Sequence, residues 1–318
     1  MDGVLRKWRE LRARLLGRVE PVILMYHRVA DLACDPWNLA VTPERFVEQV
    51  ELLTHRRTIV PLDWLVEKLE SGRVPEKTVA ITFDDGYVDV LRNAKPVLER
   101  FGASATAYLA TGAIGQRREF WWDALSRILL ESPALPDSLE LQIAGHTREW
   151  SVEPGRNRGD LHLAVWSALR FLAEETRTAL LAELERWVGT TPPARPWDRA
   201  LDPDEARELA ASDVFTIGAH SVSHASLPSL SDDGKRREVG ESRSACEQLM
   251  GRTVASFAYP FGDRDRATER IVQEAGFRHA CSTDPGPVVT IRDRFRLPRV
   301  AVENWSGEEL SRRLDGIG

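Results

Sequence analysis

Cysteine is scarce in this chain. The three residues, Cys34, Cys246 and Cys281, are widely spaced and odd in number. They indicate neither a disulfide framework nor a Cys-based zinc site and read as small buried hydrophobes. Long apolar runs are missing too. No stretch reaches the roughly 18 residues that span a bilayer. The N-terminus carries closely spaced arginines from Leu5 to Arg18 where a signal peptide would have its apolar core, so the expected location is cytoplasmic. Positive charge is not in excess: the formal net charge is -6, which argues against a general nucleic-acid binder. Internal repeats and low-complexity linkers are absent, and no Gly-x-Ser-x-Gly elbow occurs.

What is present suits an enzyme-sized globular chain. Its 318 residues are 42% hydrophobic and 29% charged, enough for one large barrel or two ordinary domains. Short β-rich runs alternate with longer helical patterns, the rhythm of an α/β fold with a parallel sheet or barrel. Strands are expected at 22–27, 78–84, 104–110, 214–220, 256–261, 279–284 and 297–302, with a short extra one at 58–62. Thr42 and Pro43 open a helix as N-cap and first helical residue. Other helices are expected at 88–100, stopping near Gly102, and at 232–250, stopping at Gly251. The stretch 120–198 breaks the rhythm. It holds Trp121-Trp122, a helical pattern from about 161 to 188, and Pro192, Pro193 and Pro196, and it reads as a mainly helical insertion on a barrel spanning 21–318.

Three strand-end motifs carry chemistry. Thr82-Phe83-Asp84-Asp85-Gly86 ends a strand with two carboxylates, and Gly86 supplies the turn that lets both point into one mouth. His220-Ser221-Val222-Ser223-His224 places two imidazoles four residues apart, a spacing that on one helical face grips one metal. Phe257-Ala258-Tyr259-Pro260-Phe261-Gly262 is a rigid loop able to aim a backbone N–H at a developing oxyanion. One carboxylate and two imidazoles make a three-ligand metal site with open positions, and a second carboxylate beside it can act as general base.

The order of these motifs resembles the polysaccharide deacetylase (NodB-like) family, carbohydrate esterase family 4. The opening Leu24-Met25-Tyr26-His27-Arg28-Val29 resembles its poly-N-acetylglucosamine deacetylase branch. The resemblance implies a distorted (β/α) barrel of about seven strands and metal-dependent hydrolysis of N-acetyl groups from an amino-sugar glycan or glycan precursor. It implies a divalent ion, Zn2+ with Co2+ or Ni2+ as alternatives, bound by Asp85, His220 and His224. Asp84 would be the catalytic base and the Phe261 N–H an oxyanion donor, with Tyr259 at the substrate or the base.

Two departures stand out. Ala258 occupies the place of an arginine that steadies the base in better-known members, and the late Leu-x-x-His motif that supplies the acid has no match after His279. His27, ending the first strand, is the candidate acid, and Arg299 is the candidate replacement arginine. Two rivals remain at this stage: a serine hydrolase using Ser221 or Ser223, and a catalytically inactive carbohydrate-binding protein on the same scaffold. The segment 1–20 forms a basic amphipathic pattern, with Val4, Leu5, Trp8, Leu11 and Leu15 on one face and Arg6, Lys7, Arg9, Arg12, Arg14 and Arg18 around it. It reads either as a helix lying at the inner face of an anionic membrane or as one closing the bottom of the barrel.

Overall fold

The computed structural model describes residues 20–72, 74–152, 158–288, 291 and 293–317; the basic segment 1–18 lies outside them. The described residues divide into two compact units, one drawn from 20–32, 38–115 and 201–317 and the other from 33–37 and 116–200.

The larger unit is a closed parallel barrel of seven strands. These are β1 (Val22–Tyr26), β2 (Thr78–Phe83), β3 (Ala105–Leu109), β4 (Phe215–Ala219), β5 (Ser256–Ala258), β6 (His279–Pro285) and β7 (Leu297–Ala301). Each pairs with the next in chain order, and β1 closes the ring by pairing with both β2 and β7. The seven-stranded α/β barrel expected from the sequence is the fold. A two-residue strand, Thr58–Ile59, extends β2 on its outer side. Closure leaves the ring itself no unpaired edge.

Alternation along the strands makes two apolar layers. Val22, Leu24 and Tyr26 face outward and pack with the surrounding helices, whereas Ile23 faces into the barrel with Ala80, Tyr108, Ala258, Cys281 and Leu297. The helices include α1 (Pro43–Arg56), α2 (Leu62–Ser71), α3 (Lys95–Phe101), α4 (Pro203–Ala210), α5 (Asp232–Met250), α6 (Arg266–Glu274) and α7 (Gly307–Asp315). Thr42 caps α1 by accepting from the Arg45 N–H, with Pro43 in the first turn, and α5 ends on Gly251 in the left-handed conformation. The expected helix at 88–100 is split into a π-turn, Val90–Ala94, followed by α3.

The amino end of the barrel is covered by α2, whose Leu62, Leu65 and Val66 join the interior cluster. Polar groups also thread this interior. His279, at the start of β6, contacts Asp63 Oδ1 through Nε2 at 2.7 Å and Ser256 Oγ through Nδ1 at 3.2 Å. The Tyr108 hydroxyl lies 2.5 Å from the same Ser256 Oγ. Room for the Tyr108 ring comes from Gly218, where a Cβ would stand 2.5 Å from it.

The smaller unit has its own core. The hairpin Ser138–Ile143 and His146–Ser151 was not among the expected strands. Its inward residues Leu139, Leu141 and Ile143 pack with Leu161, Val165 and Leu169 of the helix Arg158–Leu169 and with Leu180 and Leu184 of the helix Glu174–Val188. Ala144 and Gly145 both take positive φ, as a two-residue hairpin turn requires. Within this core the Ser126 hydroxyl donates to Trp122 O at 2.8 Å, so His162 Nε2, 3.0 Å from Ser126 Oγ, is the donor in that pair.

Burial pushes the His162 imidazole down from 6.5 to about 4. The unfolded chain therefore binds a proton that the folded chain refuses between those values. The resulting stabilisation is complete above pH 6.5 and is lost as pH falls from 6.5 through about 4. Replacing His162 with Gln, which keeps a donor but does not titrate, is expected to flatten the fall of Tm across that window in thermal melts; an unaltered slope would remove His162 as its source.

Candidate active site

Parallel strands deliver their carboxyl ends to one mouth of a barrel, where loops build sites. His27 follows β1, Asp84 and Asp85 follow β2, His220 follows β4, Tyr259 follows β5, and Arg299 lies in β7. Asp84 continues the pairing of β2, donating its N–H to Tyr26 O at 3.0 Å. Asp85 then takes φ 71°, which turns the second carboxylate away from the first. The turn thus begins at Asp85 itself, one residue before Gly86.

Asp84 points to Arg299. The guanidinium donates to both carboxylate oxygens at 2.7 Å, to Thr82 Oγ1 at 3.1 Å and, through Nε, to Ser282 O at 2.9 Å. Thr82 Oγ1 passes its own proton to Leu24 O at 2.7 Å. Burial alone would raise the Asp84 carboxyl. The Arg299 charge, with smaller contributions from His220 and His27, outweighs that and holds it below the usual carboxylate value. Arg299, which burial would otherwise lower, is raised by Asp84. His27 Nε2 lies 4.0 Å from Asp84 Oδ2, too far for a hydrogen bond, and the His27 side chain is one-fifth exposed.

Asp85 points the other way. Its Oδ1 is 3.4 Å from His220 Nε2 and 3.2 Å from His224 Nε2. Neither approach has the angles of a hydrogen bond, so this buried oxygen has no donor among the described residues. One ligand atom from each of the three residues lies within 4.8 Å of the other two, and all three residues are buried. His220 Nδ1 is 2.8 Å from Ala258 O, which assigns its proton to that nitrogen and leaves Nε2 with a free lone pair. A carboxylate oxygen without a donor and imidazole nitrogens turned inward are what a divalent ion needs, and two nitrogens with one oxygen suit Zn2+, Co2+ or Ni2+. Burial would raise Asp85 and lower His220. The nearby His220 and His224 imidazoles outweigh it at Asp85, and the Asp85 and Asp84 carboxylates outweigh it at His220, holding the carboxyl well below and the imidazole above its usual value.

The histidines do not share a helical face, contrary to what their spacing suggested. Residues 220–224 form a loop in which Ser221 and His224 take positive φ, 63° and 51°. The loop is held from two sides. Thr111 N and Gly112 N donate to Ser221 O and Val222 O at 3.1 and 2.8 Å. From α5, Glu238 accepts from Val222 N and Ser223 N, both at 2.9 Å, and from the Ser223 hydroxyl at 2.7 Å. No motif in the sequence marked Glu238, one of five acids on a highly charged helix.

The third motif contributes differently from expectation at Tyr259. Its side chain is fully buried with Phe257, and its hydroxyl donates to Phe295 O at 2.8 Å. It holds the loop from beneath and is not positioned to touch a substrate. Phe261, at φ 58°, packs its ring edge-on to His224 with centroids 4.5 Å apart. Gly262 is required after it, because a Cβ there would stand 1.9 Å from Thr283 Oγ1. His279 lies at the opposite end of the barrel, bound to Asp63, and takes no part in the mouth.

A buried carboxylate–imidazole–imidazole cluster beside a clamped second carboxylate, at the carboxyl end of a parallel barrel, is the donor arrangement of a candidate metal-centred hydrolase. Comparison with known proteins agrees. The family model described as polysaccharide deacetylase matches residues 71–136 and 159–280, more than half the chain, and the chain belongs to that family. It is similar to the poly-beta-1,6-N-acetyl-D-glucosamine N-deacetylase of Staphylococcus aureus, with 28% identity for strain MRSA252 and 19% for strain N315. Each match runs over 281 residues, 88% of this chain and 73% of the relative. Among solved structures, the Streptococcus pyogenes deacetylase PplD in complex with acetate superposes with a TM-score of 0.62 at 18% identity, covering 93% of this chain and 99% of that one. IcaB from Ammonifex degensii gives 0.61 at 16%, covering 93% and 97%. At these identities the structural matches establish the barrel.

Glu238 generates a prediction that does not depend on the substrate. Glu238→Ala is expected to weaken divalent-metal binding roughly 10- to 100-fold in a chelator-competition titration. An unchanged affinity would show that the loop holds its shape without it.

Proposed function

We propose that the chain is a metal-dependent N-deacetylase that hydrolyses the acetamide of an amino-sugar glycan or glycan precursor, releasing acetate and a free amine. The observation that carries this reading is the placement of Asp84, clamped by Arg299, beside the Asp85, His220 and His224 ligand set. The names of the staphylococcal relatives support N-acetylglucosamine polymers as the substrate class.

A divalent ion held by Asp85, His220 and His224 would supply Lewis-acid polarisation of the acyl oxygen and a water of lowered pKa. Asp84 removes a proton from the attacking water as its oxygen bonds to the carbonyl carbon and the C=O π pair moves onto the acyl oxygen. Arg299 keeps Asp84 ionised and its oxygens aimed, at the cost of some basicity. The Phe261 N–H donates to the oxyanion. When the carbon–nitrogen bond breaks, its electron pair leaves with the amine, and protonated His27 delivers a proton to that nitrogen. Base and acid stand at the ends of the paired strands β2 and β1, with His27 Nε2 4.0 Å from Asp84 Oδ2, so both proton transfers are served at one mouth.

Acetate release from N-acetylglucosamine oligomers tests the reading. Stripping the metal with a chelator should abolish release, and Zn2+ or Co2+ should restore it. Release that survives complete stripping would favour the serine-hydrolase alternative. Sugar binding by the metal-loaded chain without acetate release would favour an inactive scaffold.

His27→Ala is expected to slow amide hydrolysis by roughly 10²–10⁴-fold. It should leave an aryl acetate, whose leaving group needs no proton, nearly unaffected. Equal losses on both substrates would make His27 a structural residue.

A further inference from the structure

Behind His27 lies a buried ion pair that the mechanism does not use. Arg28 is 1% and Asp89 4% exposed. Asp89 Oδ2 accepts from Arg28 Nε at 2.9 Å, and Oδ1 accepts from the Val29 backbone N–H at 2.9 Å. The guanidinium lies over the Tyr87 ring, 4.2 Å from its centroid. Four residues beyond Asp89, Asn93 Nδ2 donates to Val29 O at 2.7 Å. The backbone just after His27 is therefore gripped at Val29 N and Val29 O, and through the Arg28 side chain. All three holds come from the segment that continues directly from Asp84 and Asp85. Before His27, Tyr26 O accepts the Asp84 N–H. The loop bearing His27 is tied on both sides to the loop bearing the carboxylates.

A buried ion pair adds little stability over apolar side chains of the same volume. What it adds here is geometry, because two carboxylate oxygens fix a side chain and a peptide N–H at once. Resting on the assignment of His27 as the acid, we infer that Asp89 is a positioning residue that sets where His27 stands relative to Asp84, acting through Arg28 and Val29. It touches no reacting atom. Its loss should therefore impair the proton delivery to the amine and little else.

A double-mutant cycle on the metal-loaded chain tests this, comparing kcat/KM for wild type, Asp89→Asn, His27→Ala and the pair, on an N-acetylglucosamine oligomer and on an aryl acetate. Asp89→Asn is expected to lose roughly 10- to 100-fold on the amide while sparing the ester. It should add no further loss once His27 is alanine. Equal losses on both substrates, or a loss that persists undiminished in the His27→Ala background, would overturn the inference and leave Asp89 a structural residue. A His27→Ala variant that itself fails to discriminate amide from ester would overturn the acid assignment instead, and this inference with it. Should Asp89→Asn alone not fold, the charge-neutral pair Arg28→Gln with Asp89→Asn carries the same test with the same outcomes.

Discussion

Two adjacent carboxylates buried at one end of a closed barrel are an expensive arrangement, and the Arg299–Asp84 pair makes it tolerable. Both Asp84 and Asp85 are nearly inaccessible. An isolated buried carboxylate would take up a proton before it stayed charged. Arg299 meets both oxygens of Asp84, while Asp85 is turned toward two imidazoles. Breaking such a buried pair by removing one partner costs about 3–5 kcal/mol. Because Arg299 sits in the last strand and Asp84 follows the second, this electrostatic requirement coincides with closure of the ring through β1.

Much of the backbone strain lies at the mouth. Of the seven non-glycine residues with positive φ among the described residues, four, Asp85, Ser221, His224 and Phe261, belong to the three chemical motifs, while Asn38, Lys77 and Ala144 lie elsewhere. Each such residue costs on the order of 1–3 kcal/mol and persists only where its surroundings over-determine it. Those surroundings are visible: the Asp84 N–H on β1, Thr111, Gly112 and Glu238 around residues 220–224, and Tyr259 and Gly262 around Phe261. Strain is spent on turning side chains inward from strand ends, so that ligands from β2 and β4 meet at one point.

How much of this was legible depended on how local each signal is. The seven strands and the caps at Thr42 and Gly251 are written in short strings, and the structure has them. Asp84, Asp85, His220 and His224 were legible as motifs, but the helical spacing proposed for the two histidines was the wrong geometry, since a strained loop brings them together. Arg299 could be suspected only because Ala258 left a vacancy in a familiar pattern. Glu238 and Asp89 carried no signal, because each looks like any other acid until the fold brings a backbone N–H to it. The alternation Leu139, Leu141, Ile143 was present in the stretch read as mainly helical, but it was outweighed by the helical pattern that follows it. Nothing in the sequence marked residues 33–37 as part of the smaller unit.

In the proposed mechanism Asp84 is the residue on which base chemistry and metal binding separate, since it lies beside the candidate ligand set without belonging to it. The most direct measurement is bound metal per chain together with acetate release for Asp84→Asn. The expected result is metal retained at the wild-type level with turnover reduced by at least roughly 10²–10⁴-fold, the usual worth of a positioned base. Near-wild-type turnover in that variant would contradict Asp84 as the base, and loss of the metal would place Asp84 among the ligands.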